Sequence, residues 1–177
     1  KPVSLSYGLE AVYVLGQASS SVAKIAAFNK SSGVFIEWSE ITSTGTLNVK
    51  DICCRKNSTY FSVVGSFSGT LTAESRTLTS NGDLDAFYLN YFKPSLSLFY
   101  CTAWANYGGL GADEANALDI ESNTSVTAIA GSFSGNADFY MPMPNTLVRI
   151  SNGGKDSFIM LLNPNENYVT NSNRLLT

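Results

Sequence analysis

The stretch VVGSFSGTLTAES, residues 63–75, returns 66 residues later as IAGSFSGNADFYM, residues 129–141. Aligning the chain on the two GSFSG segments brings further matches into line. SNGDLDAFYLNYFKP (80–94) matches SNGGKDSFIMLLNP (151–164), and NSTYFSVVGSFSG matches NTSVTAIAGSFSG. Upstream, LEAVYVLGQASSS (9–21) is a weaker third copy, with Gly16 in the place of Gly65 and Gly131. The period is irregular, about 50 and then 66 residues, a size that marks stacked supersecondary units. The extra length of the third copy includes YMPMPNTL, residues 140–147.

The apolar runs AVYVLG, YFSVVG, VTAIAG, AFYLNYF and SFIMLL are short and rich in β-branched and aromatic residues. Gly, Asn, Ser and Pro bound them, which is strand punctuation. They do not alternate strictly, as a strand with one wet face does. Many of the strands are therefore expected to be buried on both faces, as in small stacked antiparallel sheets. The fold class expected is all-β: one repeat domain over 1–177, with units at about 1–46, 47–110 and 111–177. Each unit is a four-stranded antiparallel, blade-like sheet, part of a β-propeller or an open propeller-like stack. The strands are expected at 2–6, 11–16, 22–28 and 33–39; at 47–55, 60–66, 85–92 and 98–106; and at 115–121, 126–132, 156–162 and 168–175. GSFSG then reads as the exit of each second strand, which makes Gly16, Gly65, Gly69, Gly131 and Gly135 structural turn glycines.

The segment YGGLGADEANALDIESNTSVTAIAGSFSGNADF (107–139) resembles the bacterial β-propeller repeat family (SBBP-like repeats). There a Trp-bearing strand leads into GG-x-G-x-DE, an apolar strand, a polar turn and V-x-V-x-G-x-F-x-G. SNGDLDAF and SNGGKDSF resemble its next element, and Trp38 and Trp104 stand near its strand-four tryptophan. The resemblance covers most of 47–163 and little of 1–46, where SEITSTGTLNVKD lacks the GG and the DE. It implies a propeller fold and an extracellular or cell-surface location, and it names no ligand.

Composition removes several functions. Charged residues make up 14% of the chain, the formal net charge is −3, and the few Lys and Arg are scattered, so nucleic acid is not expected as a partner. No histidine is present, which excludes Ser-His-Asp and Cys-His catalysis and the commonest zinc ligand. No apolar run reaches the ~20 residues of a membrane-spanning helix. A chain that begins at Lys1 is expected to be a processed product or an excerpt. Cys53 and Cys54 fall on a first strand and Cys101 on a fourth, too far apart for a bridge.

Candidate sites each have a simple structural account. NGDLD, with Asn81 and Asp85, has the oxygen spacing of a calcium loop, but its third copy has Lys155 between Asn152 and Asp156. Turn-stabilising Asx bonds explain it better. Asp113, Glu114 and Asp119 belong to one copy only and are not expected to be catalytic, so neither a catalytic residue, a metal nor a cofactor is assigned. Asn29, Asn57 and Asn123 lie in N-x-[ST] sequons and are candidate N-glycosylation acceptors. The aromatics Tyr88, Tyr91, Phe92, Phe99, Tyr100, Trp104 and Tyr107 are expected to pack between units rather than form a glycan platform.

Three units cannot close a ring, so two apolar sheet faces are left open. The function expected is an extracellular structural or adhesive repeat module that associates head to tail with copies of itself, as in a filament. Val12 and Ile159 are placed on the assembly faces. The alternative is a glycan- or protein-binding segment of a larger cell-surface β-propeller, joined to further blades of a longer chain.

Overall fold

A computed structural model describes residues 1–94, 98–139, 147–162 and 175–176. The strands in chain order are β1 (Pro2–Tyr7), β2 (Ala11–Gln17), β3 (Val22–Asn29), β4 (Phe35–Ser43), β5 (Leu47–Cys54), β6 (Tyr60–Phe67) and β7 (Thr70–Ala73). After them come β8 (Arg76–Thr79), β9 (Asp85–Phe92), β10 (Tyr100–Gly109), β11 (Glu114–Ile120), β12 (Thr127–Phe139), β13 (Leu147–Leu162) and β14 (Leu175–Leu176). Every pairing among them is antiparallel.

The strands form two hydrogen-bonded sheets. One has six strands in the order β1-β2-β3-β4-β7-β8. The other has eight, in the order β14-β13-β12-β10-β9-β6-β5, with β11 on β12. The second sheet folds back on itself where β10 passes from β9 to β12, so the molecule has three layers. One core packs Tyr13, Leu15 and Ile25 of the six-stranded sheet against Phe61, Phe87 and Tyr91 of the middle layer. A second packs Val64, Ala86 and Tyr107 of that middle layer against Ile129, Phe133 and Phe158. β6 lies between the two cores. Every one of its positions after Tyr60 is buried, which explains why its sequence does not alternate. β2 and β3 each have one face in a core, and their burial alternates although their sequences are largely apolar on both faces.

This corrects the expectation of three separate four-stranded blades and of the propeller that they implied. In the middle unit the chain leaves β6 at Gly69 (φ +76) and forms the β7–β8 hairpin. That hairpin does not stay with its own unit. β7 pairs with β4 through Ile41↔Ala73 and Ser43↔Leu71 and extends the first sheet to six strands. At the equivalent Gly135 (φ +66) the chain bulges but continues, so β12 runs for thirteen residues where 126–132 was expected. Its far end pairs with Gly108 and Gly109 of β10 and merges the second and third units into one sheet. Most of the strand expected at 168–175, and the insertion at 140–146, lie outside the described residues.

Candidate functional site

Register defines the surface of interest. On the outer side of the first sheet, one row runs Leu5–Val14–Ala26–Trp38 across four strands and the next runs Tyr7–Val12–Phe28–Phe35. Leu5, Tyr7, Phe35 and Trp38 are each about half or more exposed, at 56%, 65%, 50% and 48%. β1 has its polarity reversed relative to a surface strand. Ser4 and Ser6 point inward, where the Ser4 hydroxyl donates to Asp51 Oδ1 and the Ser6 hydroxyl accepts from the Cys54 N–H, both at 2.8 Å. Pro2, Val3, Leu5 and Val14 line a shallow groove on the outside. The border of the patch is charged: Lys24 lies 3.7 Å from the Trp38 ring centroid and 3.2 Å from Glu40.

Apart from the Trp104 position, the same rows are buried in the other layers. With Gly16, Gly65 and Gly131 equivalent, Leu5–Val14–Ala26–Trp38 corresponds to Ile52–Val63–Leu89–Trp104 and to Leu118–Ile129–Met160. Ile52, Val63 and Leu89 face the first sheet, and Leu118, Ile129 and Met160 face the middle layer. The outer face of the first sheet is thus the face that each later layer packs onto the layer before it. At the opposite end, the outward rows Ala117–Ala130–Ile159 and Asp119–Ala128–Leu161 correspond to the face that each earlier layer offers to the next. Val12 and Ile159 lie one on each of these outer faces, Val12 half-buried and Ile159 43% exposed.

The glycines divide into two kinds. Gly65 and Gly131 lie inside β6 and β12, not at strand exits, and have ordinary φ. Each sits opposite a bulge, between Val49 and Asp51 or between Ala115 and Ala117, and beside a phenylalanine, Phe87 or Phe158. A Cβ at Gly65 would strike the Asn48 carbonyl oxygen and come within 2.8 Å of the Phe87 ring. At Gly131 it would strike the Glu114 carbonyl oxygen and come within 2.5 Å of the Phe158 ring. Gly69 and Gly135 supply the left-handed turns. The serines just before them, Ser68 and Ser134, accept the N–H of Thr46 and of Ala112 at 2.9 and 2.8 Å. Gly16 is looser, the nearest atom to its Cβ position being the Lys1 carbonyl oxygen at 3.3 Å.

The three sequons gather at one end of the layers. The turns 8–10, 29–34 and 55–59 are tied by Leu9 N–H to the Ser58 carbonyl (3.1 Å) and Lys30 N–H to the Glu10 carbonyl (3.0 Å). The turn at 121–126 joins them, since Cys53 lies beside Asp119. Asn57 and Asn123 are exposed, whereas the Asn29 side-chain oxygen accepts the N–H groups of Ser31 and Ser32. Glu121 accepts the N–H of Asn123 and both N–H and O–H of Thr124, which hold its carboxyl down at about 2.

Asp113, Glu114 and Asp119 do not converge on one cleft. Asp113 is buried, Glu114 pairs with Lys155 at 2.6 Å and Lys50 at 3.7 Å, and Asp119 is exposed. Asp85 and Asp156 clamp their turns from the far end, not as Asx turns: each accepts the N–H of the residue four positions earlier, Asn81 and Asn152, at 3.0 and 2.9 Å. Among the described residues no group of three or more His, Cys, Asp or Glu is placed to hold a metal, and no helix is long and apolar enough to cross a membrane. Burial pushes the Cys53 thiol up to about 11 and those of Cys54 and Cys101 up to about 12, so none is a thiolate at neutral pH. Cys54 and Cys101 end the row Cys54–Phe61–Tyr91–Cys101, three inter-strand steps of ~4.8 Å apart. Tyr91, Phe99 and Tyr107 are core residues, while Tyr100 and Trp104 are exposed, Trp104 under the Arg76 guanidinium at 4.1 Å.

Two features escaped the sequence reading. Leu5, Tyr7 and Trp38 belong to the outer rows, a fact visible only once the register aligns the layers. Lys93, buried beside the Phe99 ring at 4.6 Å, pairs with Glu37 and ties the end of β9 to β4. Comparison with models of known families, with curated proteins and with solved structures gives no match to the chain.

Proposed function

We propose that the chain is a structural or adhesive module of an extracellular or cell-surface assembly, which joins copies of itself head to tail through its two outer faces. The observation that carries this reading is the register equivalence. The outer rows Leu5–Val14–Ala26–Trp38 and Tyr7–Val12–Phe28–Phe35 occupy, apart from the Trp38 position, the places that the next two layers bury. The occupant such a face fits is a layer offering the rows of Ile159 and Leu161, and the other end of a second copy offers them. Contiguous apolar patches of this kind mark interaction sites, and a heterologous contact between unlike faces runs on as a filament or closes a ring. The scarcity of charge, the Ser/Thr/Asn-rich surface and the sequons gathered at one end favour an extracellular setting. Glycans on Asn57 or Asn123 would stand at the ends of the strands, beside the stacking faces rather than on them.

Sedimentation tests the proposal. The mass of the wild-type chain should rise with concentration, while Val12→Lys and Ile159→Lys each remain monomeric with an unchanged near-ultraviolet spectrum. Each variant keeps one good face, so an equal mixture of the two should form dimers and stop there. A wild-type monomer at high concentration sinks the proposal, as does a Val12→Lys monomer alongside an Ile159→Lys that still assembles, which would mean face-to-face pairing. Glycan binding by the Trp38 face of a stable monomer would favour the glycan-binding alternative.

A further inference from the structure

We propose that Asp85 and Asp113 share a single proton and form a proton-locked clasp between the middle and third layers. Asp85 is wholly buried at the start of β9. Its Oδ2 accepts the Asn81 N–H at 3.0 Å and the Asn106 side-chain amide at 2.9 Å. No donor among the described residues reaches its Oδ1. Asp113, 1% exposed, binds the other way: its Oδ2 takes the Gly109 N–H at 2.9 Å and its Oδ1 the Ser134 N–H at 3.0 Å. Its own N–H donates to the Leu84 carbonyl at 2.7 Å. Between them these bonds fasten β9, β10 and β12 at the point where the eight-stranded sheet folds back.

The unpartnered Asp85 Oδ1 and Asp113 Oδ2, which carries only the Gly109 N–H, both face Gly108. A Cβ at that glycine, whose φ is +155, would lie 2.7 Å from Asp85 Oδ1 and 2.7 Å from Asp113 Oδ2. The oxygens therefore open onto one small space that only a glycine leaves clear. A buried carboxylate requires a partner, and two facing each other cannot both ionise cheaply. The cation nearest in effect is Lys155 on β13, which acts on Asp113 from a distance while its ammonium is bonded to Glu114. Lys50 of β5 is directed to the same Glu114, and Arg76 of β8 lies over Trp104. The turn beside Asp85 adds only the exposed Asp83, and β13 adds Asp156, which is engaged with the Asn152 N–H. A proton on Asp85 Oδ1, donated toward Asp113 Oδ2, satisfies the one orphaned oxygen and removes one of the two charges.

The linkage has a definite sign. Burial, the largest influence on both groups, raises both carboxyls, and the charge of Asp85 raises Asp113 further. A folded state that holds its proton more tightly than the unfolded chain gains stability on acidification. The gain starts at the raised folded value and is complete below the ordinary aspartate value of about 3.9. Salt-bridged carboxylates behave in the opposite sense.

Carbon-13 labelling of the aspartates provides the first test. One carboxyl of the pair should stay protonated well above the ordinary aspartate range, and titration of both within that range overturns the proposal. Asp85→Asn provides the second. Its carbonyl can take the two donors of Oδ2, and its amide can donate to Asp113. The melting temperature at pH 7 should rise, and the wild-type gain on acidification should flatten. An unchanged slope overturns the clasp. So does calcium raising the wild-type melting temperature at pH 7 without acting on Asp85→Asn, which would make the pair a cation site. Should the variant not fold, the carbon-13 titration of the wild-type chain decides alone.

Discussion

At the scale of the residue, GSFSG is a seat rather than a turn. Its first glycine accommodates a bulge carbonyl and a neighbouring phenyl ring, its phenylalanine enters a core, its last serine staples an incoming N–H, and its last glycine takes the left-handed turn. Gly65→Ala and Gly131→Ala should each cost about 1–3 kcal/mol, the usual range for forcing extra atoms into a packed site. Gly16→Ala, whose new methyl meets nothing closer than the carbonyl oxygen of the terminal Lys1 at 3.3 Å, should stay within ~0.5 kcal/mol. Urea unfolding of the three variants checks this, and equal costs at Gly16 and Gly65 would refute the close-approach account. The sequence displays the repeated glycine but not its cause. The cause is a bulge in a different strand, and a bulge leaves no periodic mark of its own.

At the scale of the element, strands were legible wherever the core is local to the unit. AVYVLGQ and VAKIAAFN alternate in burial because only one face enters a core, although both faces are largely apolar in sequence, and YFSVVGSF is buried throughout because both of its faces do. The β7–β8 hairpin was missed although TLTA and RTLT alternate, because its partner β4 belongs to the preceding unit and no local pattern reports so distant a pairing. The tie between Lys93 and Glu37 is hidden in the same way, its members being 56 residues apart. Glu37→Ala leaves an ammonium buried without its counter-charge and should cost on the order of 3–5 kcal/mol, while Lys93→Met, which removes the charge and keeps the stem, should cost much less. Thermal unfolding of the two variants distinguishes them. A Lys93→Met as unstable as Glu37→Ala would mean that the packing of the lysine stem, not its charge, is what matters.

At the scale of the whole molecule, the repeat was legible and the sheet count was not. Which strand joins which sheet is decided by where the hairpins reach after the repeating unit has ended. Those exchanges should couple the layers. Trp38 lies in the first sheet and Trp104 in the middle layer, so these two of the three layers each carry their own tryptophan. In single-tryptophan variants the two urea transitions should coincide. Replacing residues 70–79 by a short glycine-serine turn should separate them, with the Trp38 transition moving to lower urea. Transitions that are already separate in the intact chain would show that the shared hairpin couples nothing.

The layers inside the chain are lapped like roof tiles, because the hairpin at 70–79 and the long arm of β12 reach back over the joint beneath them. The first sheet has no such lap to lend. Its own connection between β2 and β3 is the tight turn at 18–21, closed by Ala18 N–H and Ser19 N–H on the Val22 carbonyl. Anything that settles on the outer face of that sheet is therefore held by side chains alone, without a shared strand. Joints within a subunit open only by unfolding, but a joint between subunits can part and re-form. An assembly built in this way would fail at its seams first and could be taken apart and put back together with every tile intact.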